Sequence, residues 1–428
     1  MVGKSQKPST KARAPKIPCL LFVGVLLLSP NVARAASLET TIATHVTPIG
    51  VLYDPKTSEI FVSNYDSGDI QVISDKNNTQ VADITNLPGS PYNMAYDSSK
   101  SEIWVAGATL AYAISDATNQ IVANVTTHAP QNWGTLTDVA YDPTTSKVFV
   151  SYTDFTGLGS SPMQVISDSS NTVIANITQS VSGIVDDSAK SEIFASQYSE
   201  YGGAAMYVIS ANTYSFIENI TDSGSARSLV YDSGKGEIFA SYPGATIQAI
   251  SDSTNSVVAT INFPPMSVVG GMAYNPNKGE IYVNNGTSVE IISDATNSLV
   301  GTVSTKGSGG SGIAYDSGTS TVYAINNAGS TAGNMGSLAV ILDSGGTSTT
   351  GTTTSTALPT TGATSTVTTT TTTTMPSTST SSSQSGGGIP EFPYALTATA
   401  ALVVLVAVSY LLVRSRTFPR GSLGTGAT

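Results

Sequence analysis

The stretch VAYDPTTSKVFVSYTDFTGLGSSPMQVISDSSNTVIANIT, residues 139–178, decides the fold, because a version of it occurs seven times in the chain. It reads as four short strands. The first ends at Ala140, Tyr141 and Asp142, the second runs from Lys147 to Tyr152, the third from Met163 to Asp168 and the fourth from Thr172 to Ile177. Each is rich in Val, Ile, Phe and Tyr and is bounded by Asp, Asn, Ser, Gly or Pro, the local pattern of antiparallel hairpins.

The aspartate that opens the first turn recurs as Asp54, Asp97, Asp142, Asp187, Asp232, Asn275 and Asp316, at intervals of 43, 45, 45, 45, 43 and 41 residues. A second landmark follows the third strand at Asp75, Asp116, Asp168, Ala211, Asp252, Asp294 and Asp343. A period of roughly 40–50 residues with four strands per period indicates propeller blades. The expected fold is therefore all-β, a seven-bladed β-propeller of four-stranded antiparallel blades over residues 36–343. Residues 37–44 read like a fourth strand with no blade before them, whereas the seventh unit lacks a fourth strand of its own. The surplus and the deficit match, so this N-terminal strand is expected to close the ring and cover an otherwise open sheet edge. The fourth copy departs from the others by carrying Asp186 where they carry tyrosine before the turn residue.

Outside the repeats the chain changes character. Residues 1–35 combine a basic head, a short apolar run and Ala33-Arg34-Ala35, the order of an export signal peptide, with an uncleaved signal anchor as the alternative. The single cysteine, Cys19, lies there, which leaves the remainder without disulfides or thiolate metal sites. Residues 344–389, rich in Ser, Thr and Gly, cannot bury a core and read as a disordered stalk; the Leu358–Gly362 pentapeptide within it matches a sortase motif without the expected context. In residues 390–428, an uncharged run at 394–413 has the length of a transmembrane helix, and Arg414, Arg416 and Arg420 after it place that end in the cytoplasm.

The segments Ile60–Asn64, Val148–Tyr152, Ile281–Asn285 and Val322–Asn326 resemble the YVTN family of β-propeller repeats, and the resemblance covers about residues 37–343. It implies a secreted or surface protein, often archaeal, with no single activity to carry over. Pro390, Glu391 and Phe392 before the apolar run resemble the archaeal PEF-CTERM sorting signal, which implies processing by an archaeosortase-like membrane enzyme. The tail beyond Arg420 is long for that signal, so permanent type I anchoring in the plasma membrane stands beside it.

Six aspartates and one asparagine in register invite a metal or catalytic reading, yet each opens a turn in which its side-chain oxygen can accept backbone N–H groups. No metal site, cofactor or catalytic residue is expected. The two histidines, His45 and His128, lie in different units without metal-ligand spacing. Residues 36–346 hold nine Lys or Arg against twenty-eight Asp or Glu, the wrong sign for a nucleic-acid partner. Charged residues are 11 % of the chain, against roughly 25 % in ordinary domains, and tolerance of an acidic milieu is expected.

Connections from first to second and from third to fourth strand are short and constant, whereas those emerging on the opposite face vary, as at 127–137, 152–163, 197–206 and 326–337. That face gathers Tyr65, Asp66, Trp133, Tyr152, Asp154, Phe155, Tyr198, Glu200 and Tyr201, the candidate binding residues for a protein or glycan ligand, although several could instead cover the blade tops. Glycosylation sequons stand at Asn77, Asn124, Asn176, Asn219 and Asn285, and the middle three share one place in the outermost strand. The expected role is a non-catalytic cell-surface module for recognition or adhesion. A structural part of the surface coat and an extracellular hydrolase or lyase are the other classes.

Overall fold

The computed structural model describes Gly3 and residues 36–127, 134–154, 162–197, 206–220, 226–242, 245–263, 270–327 and 335–343. These form seven four-stranded antiparallel sheets and contain no helix. Blades 1 to 6 cover 48–84, 94–126, 134–180, 183–220, 228–262 and 272–304, each with its strands in chain order. Blade 7 takes three strands from 310–342, and its fourth is Ser37–Val46, antiparallel to Met335–Leu342, with Ser37 opposite Leu342 and Ile42 opposite Leu338. The closing strand expected at 37–44 is thus present and slightly longer. The strands expected in blade 3 also extend, the second through Asp154 and the fourth through Ser180.

First strands of successive blades lie against one another around the axis and fourth strands form the rim. Second and third strands are buried on both sides, as Ile60, Phe61 and Val62 show, which explains their unbroken apolar character. One side of each sheet packs on the blade before and the other on the blade after. The apolar core accordingly divides into seven clusters, one in each seam between neighbouring blades. An aromatic ring recurs at one place in every second strand: Phe61, Trp104, Phe149, Phe194, Phe239, Tyr282 and Tyr323, all wholly or almost wholly buried. Burying each contributes about 1.5–3 kcal/mol.

The axis is crowded, and this sets its composition. Four residues before each turn residue stand Gly50, Asn93, Asp138, Gly183, Ser228, Gly271 and Gly312. A β-carbon on Gly312 would lie 2.7 Å from the Ile49 carbonyl oxygen of the next blade, so a larger residue there would push adjoining strands apart. Polar side chains of the second strands staple neighbours together at this level. Ser63 Oγ accepts from Gly50 N (2.8 Å) and donates to the Tyr92 carbonyl of blade 2, and Ser151 Oγ donates to the Ser182 carbonyl of blade 4 (2.9 Å). Asn284 Nδ2 spans from blade 6 to the Gly312 carbonyl of blade 7 (3.2 Å). The serine or asparagine of the repeated motif is a seam fastener.

Candidate functional site

The two faces differ in what their polar groups do. On the face of constant turns, six of the seven turn residues accept a backbone N–H two residues on, at 2.7–2.9 Å, into Asp54, Asp97, Asp142, Asp232, Asn275 and Asp316. These residues are fully buried. The aspartate after the third strand holds a lysine of the preceding blade: Lys56 with Asp116 (3.2 Å), Lys100 with Asp168 (2.8 Å), Lys190 with Asp252 (3.0 Å) and Lys278 with Asp343. Lys235 Nζ reaches the Asp294 carbonyl at 2.7 Å. Asp97, Glu102 and Asp168 converge closely enough to hold a cation, but the Lys100 ammonium is paired there. Tyrosines complete five of the seams. Tyr53, Tyr96, Tyr141, Tyr231 and Tyr274 lie near the turn aspartate of the blade before, and burial together with that carboxylate pushes each phenol upward, Tyr141 to about 12.

Two seams depart from this pattern. Between blades 7 and 1, Thr319 stands in the place of the lysine while Asp75 keeps the place of the aspartate, and a second seam departs further. Between blades 3 and 4, Thr145 stands in the place of the lysine, Ala211 in that of the paired aspartate and Asp186 in that of the tyrosine. Burial, and then the Asp142 carboxylate, push the Asp186 carboxyl up to about 8. Tyr214, from the turn between third and fourth strands, brings its ring to 6.4 Å from Phe149 of blade 3, and burial and Asp142 raise its phenol. It does so at φ 59°, where the matching turns of other blades carry Asn78, Asn119, Asn171, Asn255 and Asn297. Positive φ is unusual for a ring-bearing residue, so this tyrosine is held there by its contacts.

At the axis, Asp138 is the one ionisable residue of the seven inward positions. Its carboxylate accepts from Ile184 N of blade 4 (2.9 Å), from Val139 N (3.0 Å) and from Asn93 Nδ2 of blade 2 (3.2 Å). Burial pushes this carboxyl up to about 7 against those three donors. A carboxyl so enclosed joins three inner strands and has no neighbouring acid or base at the axial ring with which to share a proton.

The opposite face carries the variable connections. Tyr65 is half-buried, its ring 4.6 Å from that of Tyr92, and its N–H donates to the Thr47 carbonyl (2.9 Å). Asp66 is exposed and accepts the Thr47 hydroxyl. Tyr152 does not stand on the surface as expected: it is fully buried in the seam between blades 2 and 3, because its strand continues to Asp154. Asp154 ends that strand, paired with Gly134. Trp133, Phe155, Tyr198, Glu200 and Tyr201 lie outside the described residues, as do His128, the segments 1–2 and 4–35, and residues 344–428 with Pro390, Glu391 and Phe392. Among the described residues no helix is long and apolar enough to cross a membrane.

Asn124, Asn176 and Asn219 occupy one register position, opposite Tyr112, Gln164 and Tyr207 of the adjoining third strands, and all three are exposed. Asn77 is exposed in a turn, with Oδ1 accepting the Thr79 hydroxyl (2.7 Å). Asn285 is half-buried and donates its amide to Glu290 (3.2 Å), so it is the least available of the five.

Sequence reading overlooked a group beside Tyr65 and Asp66. His45 on the closing strand, Asp69 and Asp83 bring ligand atoms within 4.8 Å of one another. His45 Nδ1 lies 2.9 and 3.0 Å from the two Asp69 oxygens and 4.0 Å from Asp83 Oδ1, while Asn64 Nδ2 fixes Asp69 Oδ1 at 2.8 Å. The expected closing strand, 37–44, stops one residue short of His45, whereas the observed strand runs on to Val46 beside blade 1.

No family model matches the chain. No curated protein matches it either. Solved structures do share its architecture. One is the Kuenenia stuttgartiensis hydrazine synthase, at 14 % identity and a TM-score of 0.56 over 66 % of this chain and 93 % of that one. Likeness at that identity defines the class, a seven-bladed β-propeller, and nothing finer.

Proposed function

We propose that this protein is a cell-surface recognition module of YVTN-like type, displayed on a stalk and non-catalytic, that binds a protein or glycan of the envelope through its variable face. The observation that supports this reading is the division of labour between faces. The constant turns consume their carboxylates and lysines internally, whereas the connections that differ from blade to blade leave from the other side. Recognition residues concentrate on variable loops carried by a rigid scaffold. The export-type leader, the Ser/Thr-rich segment, the apolar run and the Pro390-Glu391-Phe392 motif fit such a display, with membrane attachment through the C-terminal helix or through an archaeosortase-processed end. Replacing residues 155–161 with a Gly/Ser segment of equal length is expected to abolish retention of the full chain on isolated envelope material while leaving its unfolding midpoint unchanged. Undiminished retention overturns the reading.

A second reading, a structural component of the surface coat, draws on the sequons. Glycans on Asn124, Asn176 and Asn219 would project from three successive rim strands and block edge-to-edge pairing on that arc. Glycopeptide mass measurement on the native protein tests it, since three unmodified asparagines leave this reading without support.

A further inference from the structure

We infer that His45, Asp69 and Asp83 form a site for a divalent cation of the zinc class, a cation that fastens the closing strand to blade 1. The three residues come from three strands, Ser37–Val46, Asp69–Ser74 and Thr79–Ile84. The first completes blade 7 and the other two belong to blade 1, so a shared cation links the outer strand of blade 7 to blade 1.

The donor set selects the cation. One imidazole nitrogen and two carboxylates suit zinc and its neighbours, whereas calcium takes six to eight oxygens. Around tetrahedral zinc, neighbouring nitrogen and oxygen donors stand roughly 3.3 Å apart. The separations from His45 Nδ1 to Asp69 and Asp83, 2.9 and 4.0 Å, bracket that value. The Asp69 side chain is only 12 % exposed and is oriented by buried Asn64, while His45 and Asp83 are 34 % and 35 % exposed, which gives an ion both a fixed wall and an entrance.

A contrast within the molecule supports the same conclusion. Asp97, Glu102 and Asp168 also converge, but there the charge is balanced by Lys100. Among the described ion pairs neither Asp69 nor Asp83 meets a lysine or arginine, and their one cationic neighbour is a histidine, itself a metal ligand. Metal at Nδ1 requires that nitrogen to be unprotonated, so the neutral imidazole would carry its one proton on Nε2. This inference does not rest on the recognition reading.

The test uses the full chain after treatment with a chelator. Thermal unfolding is followed with Zn²⁺ and, separately, with Ca²⁺ and Mg²⁺, and calorimetry counts the ions bound. The expected result is one zinc per chain, a midpoint raised by several degrees and little response to Ca²⁺ or Mg²⁺. His45→Gln and Asp83→Asn, both at half-open positions, each remove the zinc response and retain the metal-free midpoint, while His128→Gln keeps it. Absence of a zinc response in the native chain overturns the site, as does a response that survives either of the first two variants.

Discussion

The seam between blades 2 and 3 and the seam between blades 3 and 4 share the same backbone pattern but different chemistry. In the first, Lys100 meets Asp168 at 2.8 Å and the Tyr141 hydroxyl donates to Ser99 Oγ at 2.9 Å. In the second, lysine, aspartate and tyrosine have all been replaced, by Thr145, Ala211 and Asp186. The charges were lost together. A buried aspartate without its lysine keeps its desolvation cost and loses the compensating attraction. Asp75, in the seam between blades 7 and 1 where Thr319 holds the lysine position, is accordingly raised to about 6, burial first. The ring tolerates a neutral seam because its apolar cluster is intact, with Phe149, Val165, Ile193 and Ile209 fully buried.

The largest expected effect comes from restoring half of the pair. Ala211→Asp places a carboxylate at a fully buried position, in the seam that already holds Asp142 and Asp186, and is expected to cost ~3–5 kcal/mol. Adding Thr145→Lys returns a large part of that loss, read as a coupling energy in a double-mutant cycle by denaturant unfolding. Additive effects of the two substitutions would show that the pairing elsewhere is incidental. The reverse experiment is smaller. Lys100→Met strands the Asp168 side chain, 4 % exposed, at a cost of ~1–3 kcal/mol, whereas Lys56, itself 52 % exposed, is expected to cost less than ~1 kcal/mol in the same change.

Acid should strengthen this fold. Burial first, and neighbouring carboxylates second, hold Asp75 at about 6 and Asp186 at about 8, and burial holds Asp138 at about 7. Each exceeds its unfolded value, so the folded state binds the proton more tightly. The penalty for ionising these groups is absent below about pH 4 and is fully present only above the folded pKa, so stability falls as pH rises between them. The unfolding midpoint is therefore expected to be higher near pH 4 than near pH 8. Asp186→Asn should gain ~1–3 kcal/mol at the alkaline end and nothing at the acid end. A midpoint that climbs with pH over this range would contradict the assignment.

How much of this could be read beforehand follows from distance along the chain. The turn aspartates, the blade count and the closing strand rest on local patterns and on a repeat, both visible in one dimension. The lysine–aspartate pairs join residues 60–68 apart, from the first turn of one blade to beyond the third strand of the next, so only stacked blades reveal them. Tyr152 is buried and not surface-facing because its strand runs two residues past the repeat's usual end. His45, Asp69 and Asp83 escaped notice because the closing strand carries His45 past its own blade, and because Asp83 holds the register position where other rim strands carry a sequon asparagine.

Tyr214 supplies the subtlest test of the two seams. Its φ of 59° costs the backbone something that the asparagines at equivalent turns avoid, and its edge contact with Phe149 returns about 0.5–1.5 kcal/mol. If the ring substitutes for the tyrosine that the fourth copy lacks, its value depends on residue 186. Tyr214→Asn is then expected to cost ~0.5–1 kcal/mol in the native chain, where Asp142 has Asp186 and this ring near it across the seam. In an Asp186→Tyr background the repeat's own tyrosine reaches Asp142, the ring of Tyr214 becomes redundant, and the same change should be neutral or slightly stabilising as the backbone relaxes. Equal costs in both backgrounds would mean that Tyr214 packs independently and that the neutral seam was never repaired.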